Sequence, residues 1–295
     1  MANVIIPAKE YQRIILDIYE IDSLTRQLDS QTRQLPMGQG NPNEILLKKI
    51  KTSSLGDYER DVGFKAGAVN IGWETVKLEQ DRGVKFLLDR VDSIETLNTT
   101  IGDVVADFTR RHMTPEIDAF RFARYAANAG TKKTVIPTVD NILPEIDLAT
   151  ATLSNKKVPV AGRVLFVNQL LQPILNAALK RMWGNDAMIN TNTVRYNGMD
   201  IVYVPSDRFY NGIVLQGDSG DAGFIPDVGA KKVNFIMGDP KAIWQAVKVN
   251  VPKFLSADDP ANEIDSHRFN LRIFHDAGVI DYNKDGIYAN EGEAA

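Results

Sequence analysis

Four groups of residues have types and spacings that could do chemistry. Gly217-Asp218-Ser219-Gly220 copies the surroundings of the nucleophile in chymotrypsin-like proteases, where a serine hydroxyl needs a histidine base held by a carboxylate. Only His112 precedes it, inside an Arg-Arg-His run, and Asp221 follows where a glycine belongs, so the tetrad reads better as part of a flexible acidic loop. Asp281-x-Asn283-x-Asp285-Gly286 opens like a calcium loop whose sixth residue turns the chain and whose twelfth chelates through a glutamate. Position twelve is Gly292, with Glu291 and Glu293 on either side, so the motif fails by one residue and a hairpin turn is expected. His112, His267 and His275 lack the spacing of a local metal site, and the last two share a strand face with Phe269 and Ile273. Finally, Glu79, Asp81, Arg82, Lys85, Asp89, Arg90 and Asp92 interleave opposite charges with no apolar pocket beside them. That pattern predicts a solvated or intersubunit salt-bridge network in place of a catalytic carboxylate pair.

Composition narrows the classes further. The 295 residues are 44% hydrophobic and 24% charged, enough for one large core or two modest ones. With 34 basic and 38 acidic side chains the net charge is -4, which argues against a dedicated DNA-wrapping protein, since phosphate affinity follows clustered Lys and Arg. Zero cysteines exclude disulfides, thiol catalysis and cysteine metal sites. No stretch approaches the roughly 20 apolar residues that span a bilayer, and the start lacks a basic segment followed by an apolar run. Folding in a cytosol, with no membrane partner and no cofactor, is the expectation.

The elements come next. From Glu10 to Arg33, Ile14, Ile15, Ile18, Ile21, Leu24 and Leu28 recur at helical spacing, and the Gly/Pro/Asn-rich run 34–42 follows as a linker. Such a tethered helix packs either on its own subunit or on a neighbour. The glycine-dotted stretch 52–67 pairs with a polar strand from Trp73 to Gln80 in a long two-stranded loop, turning at a charged corner, Asp81-Arg82-Gly83. Neither face of that strand is cleanly apolar, and an isolated ribbon is marginal in water, so a second subunit is expected to cover it. From Ile101 a helical stripe of Val104, Val105 and Phe108 resumes after His112-Met113-Thr114-Pro115-Glu116 with Ile117, Phe120, Ala123 and Ala127. Thr100 with Asp103 forms a capping pair, Thr114 can cap at the break, and Glu116 and Asp118 suit the helix dipole, giving two abutting helices or one kinked rod. Further on, the patterns predict helices at 144–153 and 170–182, strands at 163–167, 199–204, 233–237, 247–251 and 266–275, a loop over 216–230, a terminal hairpin at 279–288 and a polar tail.

The Asp81-Arg82-Gly83 corner, the run from Phe86 to Asp92 and the helix Pro115-Glu-Ile-Asp-Ala-Phe-Arg121 together resemble the major capsid protein of tailed bacteriophages, over roughly 50–288. The resemblance implies an α+β chain of the Hong Kong 97-type shell fold. Its parts would be an N-terminal arm (1–45), an E-loop (46–82), a peripheral domain (83–138) with a spine helix over about 98–129, an α/β axial domain (139–239), return strands (240–276) and a C-terminal hairpin and tail (277–295). It also implies a non-enzymatic shell subunit that self-assembles through pentamers and hexamers around double-stranded DNA in the host bacterial cytoplasm, with scaffolding, portal and decoration proteins as partners. Intersubunit contacts would fall on Lys51, Tyr58, Arg60, Phe64, Lys65, Trp73, Lys77, Glu79, Asp81, Arg82, Asp89 and Arg90, with hinges at Gly83 and Pro115. A cellular encapsulin-type compartment is the alternative within the fold; a soluble hydrolase using Ser219 or the carboxylates is the alternative outside it.

Overall fold

A single helical rod running between two sheets is the frame of the molecule. The computed structural model describes residues 8–26, 28, 44–58, 60–61, 63–89, 101–183, 195–217, 223–249, 252–255, 257 and 266–294. After helix α1 (Ala8–Asp22) come strands β1 (Glu44–Thr52), β2 (Val69–Lys77) and β3 (Gln80–Asp89). The rod consists of α2 (Ile101–Phe108), a π turn at Thr109–Met113, and α3 (Thr114–Ala127). Strand β4 (Thr131–Thr134), helix α4 (Ile142–Asn155), strand β5 (Val164–Asn168) and helix α5 (Gln172–Trp183) follow. Then come β6 (Arg195–Tyr196), β7 (Met199–Val204), β8 (Ile213–Gln216), β9 (Gly223–Pro226), β10 (Lys231–Gly238), β11 (Ile243–Val249), β12 (Lys253–Leu255), β13 (Ser266–Val279) and β14 (Ile287–Ala294). None of the described helices is long and apolar enough to cross a membrane.

The break expected at Pro115 is a π turn inside a continuous rod. Proline lacks an N–H and its ring crowds the carbonyl four residues back, a conflict that one wider turn relieves. The Thr114 N–H accordingly reaches the Thr109 carbonyl five residues back. The Thr114 hydroxyl donates to the same carbonyl (2.9 Å), so it does not cap a new helix. Thr100 lies outside the described residues.

One sheet has six strands in the order β4-β14-β10-β5-β7-β6. Leu165, Val167, Met199, Phe235, Met237 and Tyr288 on one face pack against α4 and α5. On the other face, Val164, Phe166, Val233, Ile236 and Ile287 meet Phe122, Tyr125 and Ala126 of the rod. The second sheet is built on β13, with β3 on one edge and β11 and β12 in tandem on the other. As the alternation predicts, Phe269, Leu271 and Ile273 are buried, here against Val105, Met113 and Ile117, while Arg272 is exposed. The rod therefore packs on both sheets, its early turns on the four-stranded one and its last turns on the six-stranded one.

Several sequence expectations are corrected. Helix α1 spans Ala8–Asp22, Arg26 and Leu28 are helical again, residues 29–33 lie outside the described residues, and α1 docks on its own subunit: Ile15 and Tyr19 are buried with Val105, Met113 and Ile117. The apolar stripe finds a matching stripe on the rod, so α1 takes the first of the two placements the sequence allowed. Asp81-Arg82-Gly83 is no corner, because β3 runs straight through it in register with Ile273, Arg272 and neighbours, and the chain turns at Leu78 and Glu79. Residues 223–226 of the expected loop form β9, paired with β8. The C-terminal segment is neither hairpin nor polar tail. A 3-10 turn over Asp281–Gly286 carries the chain out of one sheet and β14 into the middle of the other, where Asn290 and Glu291 are buried.

Gly130 marks where the rod hands over to β4. Its N–H donates to the Lys284 carbonyl (2.9 Å), and a Cβ built there would stand 2.3 Å from that oxygen. Gly130→Ala is therefore expected to destabilise the subunit by about 1–3 kcal/mol, read as a lowered Tm; an unchanged Tm would show that the 284 turn yields freely.

Candidate assembly surfaces

The paired strands β1 and β2 form a ribbon with Glu44 opposite Lys77 and Thr52 opposite Val69. Its partner strand is thus 44–52, while 53–68 is the tip; the return strand starts at Val69, four residues before Trp73. The register separates two faces, since residues alternate sides along each strand. Ile45, Leu47 and Val76 share one face, and at the ribbon base they pack with Leu78, Trp244 and Phe274. This corrects the reading of a strand with no core face: the buried face exists, contributed largely by β1. The opposite face carries Ile50, Val69, Ile71 and Trp73, each more than half exposed. Beyond it, at the tip, Leu55 and Phe64 are almost fully exposed, and the Tyr58 and Phe64 rings touch each other at 4.9 Å.

The expected contact residues divide by location. Tyr58, Arg60, Phe64 and Lys65 are exposed on the tip, and Trp73 and Lys77 on the ribbon. The backbone of Lys51 lies in β1 opposite Asn70, and Arg90 lies outside the described residues. Three residues of the charged run have partners within the subunit. Arg82 holds Glu116 of the rod through two bonds (2.8 and 3.1 Å), Asp81 pairs with Arg272 of β13, and Glu79 approaches Arg124 (3.7 Å). The Arg272 guanidinium holds the Asp81 carboxyl below the usual range. These pairs fasten β3 to the rod and to β13, because the strand ladder sets their register; Asp89 is exposed at the end of β3. Gly83 sits mid-ladder, where a Cβ would stand 3.1 Å from the Leu271 carbonyl, which is not the setting of a pivot.

A buried polar network escaped the sequence reading. Asp118, placed at i, with Arg121 at i+3 and Tyr125 at i+7, faces residues 23–25. The Asp118 carboxylate accepts from Ser23 Oγ, the Leu24 N–H and Thr25 Oγ1, each at 2.9 Å. Arg121 donates to Thr25 Oγ1 (2.5 Å), Tyr125 donates to Gln245 Oε1, and Gln245 Nε2 donates to the Thr25 carbonyl (3.0 Å). Burial raises the Asp118 carboxyl, opposed by these donors and by Arg121. Asp118 is thus a buried clamp and not a dipole-serving surface acid; its position beside Ile117 on the apolar stripe was the available signal.

His275 is buried under the rod, edge-on to Phe120 at 5.2 Å. Burial first, then Arg121 and Arg82, push its imidazole down to about 3. A histidine with a depressed folded pKa favours folding fully above its unfolded value of about 6.5 and loses that contribution as pH falls toward 3. Asp118 and Asp276, raised by burial, act in the opposite sense. His275→Leu is therefore expected to retain on the order of 3 kcal/mol more stability than the parent on going from pH 7 to pH 4, measured by urea unfolding; parallel losses would refute it.

The other chemistry candidates do not gather. Asp218, Ser219 and Gly220 lie outside the described residues, and His112 stacks on Phe108 at the rod surface. His267 accepts from the Ala257 N–H (3.3 Å), Asp281 pairs with Lys284, and Asp285 pairs with Lys156. Among the described residues no three His, Asp or Glu side chains are grouped as a metal site. A groove of about 700 Å³ does lie between β3, the π turn and the β8-β9 hairpin. Phe108, Met113, Pro115, Phe224, Leu271 and Ile273 supply its apolar lining, and Arg82, Arg111 and His112 its polar lining.

The combination of a sheet-bridging rod, a projecting ribbon and a six-stranded sheet between helices and rod is matched among solved structures. The chain is similar to the capsid of the cyanophage P-SCSP1u (11% identity, TM-score 0.64, 88% of this chain and 86% of that one). It is similar to the mature capsid of bacteriophage PhiM1 (12%, TM-score 0.61, 85% and 82%). It also resembles the virus-like particle from Pyrococcus furiosus (12%, TM-score 0.55, 96% and 98%). No protein-family model matches the sequence and no curated protein matches it significantly. The fold is the α+β, Hong Kong 97-type capsid fold of tailed phages.

Proposed function

We propose that this chain is a major capsid protein that assembles, through pentamers and hexamers, into an icosahedral shell enclosing phage double-stranded DNA. The observation that carries the reading is the ribbon: it leaves Ile50, Val69, Ile71 and Trp73 exposed on one face of a two-stranded element that is marginal alone. A neighbouring subunit laid on that face would bury it, and closed symmetry would repeat the contact around the shell. The rod supports the role by tying both sheets into one body. The chain would act as a structural protein without catalysis, folding in the host cytoplasm, residing in the virion and meeting scaffolding, portal and decoration proteins there. Pro115, at the π turn, is the place where the rod could change its bend during shell expansion; equal expansion of a Pro115→Ala shell would remove that role.

A second reading, a cellular compartment shell, has the near full-length likeness to the Pyrococcus particle in its favour. Particles recovered from the source with an antibody to this chain, treated with nuclease and then opened, separate the two. Protected double-stranded DNA of uniform length is expected; particles holding an enzyme and no DNA would overturn the phage reading and leave the compartment one.

A further inference from the structure

We infer that Asn197 is a site of spontaneous modification, where the nitrogen of the following glycine attacks the side-chain amide and water opens the product to aspartate and isoaspartate. Asn197-Gly198 is the two-residue loop between β6 and β7, with Tyr196 opposite Met199 and Arg195 opposite Asp200. Both loop residues have positive φ, 50° and 77°, the conformation that an Asn-Gly hairpin loop takes. Both are exposed, the Gly198 N–H fills no rung of the β6-β7 ladder, and the space where a Gly198 Cβ would stand is open to 4 Å. The peptide unit joining them can therefore rotate and bring the Gly198 nitrogen onto the Asn197 side chain. The modification holds whatever the chain assembles into.

Water is the sole co-reactant. The Gly198 nitrogen bonds Cγ of Asn197 and gives up its proton, the Cγ–Nδ2 bond breaks, and ammonia leaves. Water then opens the five-membered imide at one carbonyl or the other, which makes an ordinary aspartate or reroutes the main chain through Cγ as isoaspartate. Asn197 Nδ2 donates to Asp147 Oδ1 of α4 (3.1 Å); after conversion two carboxylates face each other there. Tyr196 Oη donates to the same oxygen (3.0 Å), and burial, then Asp147, push that hydroxyl up to about 12, so it stays a donor. Conversion thus removes one tie between this loop and α4 and leaves the tyrosine as the other.

A second Asn-Gly pair in the same chain gives the comparison. Asn211 Oδ1 accepts the Lys231 N–H (2.7 Å), the Asn211 N–H donates to the Lys231 carbonyl (3.0 Å), and the Gly212 carbonyl accepts from the Asp227 N–H (3.2 Å). Those bonds must open before Asn211 can react, which makes its conversion at least about tenfold slower than that of Asn197. Trypsin separates the two, cutting after Arg195, Arg208 and Lys231 so that Asn197 falls in 196–208 and Asn211 in 209–231. The full chain, folded and also unfolded in urea, would be held for weeks in neutral and in mildly alkaline buffer, and both peptides followed by mass and by chromatographic separation of the two isomers. In the folded chain 196–208 is expected to convert at least about tenfold faster than 209–231, and faster in alkali because the glycine nitrogen must shed its proton, whereas in urea the two should convert alike. A folded chain with Asn197 intact, or with a rate ratio no larger than in urea, would overturn the proposal.

Discussion

Replacing Ile71 and Trp73 together by aspartate is expected to abolish assembly while leaving the subunit folded. Both side chains are more than half exposed and share a face with Ile50 and Val69, so no intramolecular core loses a member. The ribbon base, where Ile45, Leu47 and Val76 pack against Trp244 and Phe274, is on the other face and stays intact. Full burial of side chains of this size is worth about 1.5–3 kcal/mol each, so covering the remaining half gives about 1 kcal/mol per residue and roughly 4 kcal/mol per contact. Two buried carboxylates would reverse the sign of that contact. Sedimentation velocity should show the parent as fast particles and the variant as a 32.8 kDa species with an unchanged Tm. Particles of normal size from the variant would mean that this face is not an interface.

The second large effect is expected inside the subunit. Asp118→Ala removes the acceptor for Ser23, Leu24 and Thr25 and takes a negative charge from beside the fully buried Arg121. Breaking a buried charged network by removing one member costs about 3–5 kcal/mol. The Tm should fall by on the order of 10 °C, with residues 8–28 becoming open to protease before the rest of the chain. The double variant Asp118→Ala/Arg121→Met removes both charges and should recover part of the loss, because the buried guanidinium is gone. If the single variant costs less than about 1 kcal/mol, or the double costs more than the single, the clamp does not hold the N-terminal segment as described.

How much of this was legible in the sequence depended on range. Local periodicity located the rod, the helices near 144–153 and 170–182, and the strand with Phe269, Leu271 and Ile273 inward, because 3.6 and 2.0 spacing act over a few turns. The Pro115 region was read as orderly, but whether the helix broke or widened depended on the Thr109 carbonyl taking both the N–H and the hydroxyl of Thr114. The ends of the ribbon were misplaced, since its apolar half, Ile45 and Leu47, is short and its partner residues are contributed by β11 and β13. Residues from Asn290 on looked like a polar tail for the same reason: Asn290 and Glu291 are buried by strands 50 or more residues away. Asp118 carried a weak signal, an acid on an apolar stripe, that spoke only once residues 23–25 were known to face it. Of the residues expected to meet a neighbour, Tyr58 and Phe64 are exposed on the tip, whereas Glu79, Asp81 and Arg82 have partners in their own subunit.

The most direct test of the central claim is the particle mass of the full chain expressed alone, by sedimentation with negative-stain imaging of the fast fraction. Closed shells, tubes or rings of five or six subunits are the predicted result. A 32.8 kDa monomer at every concentration, with no fast fraction, would contradict it.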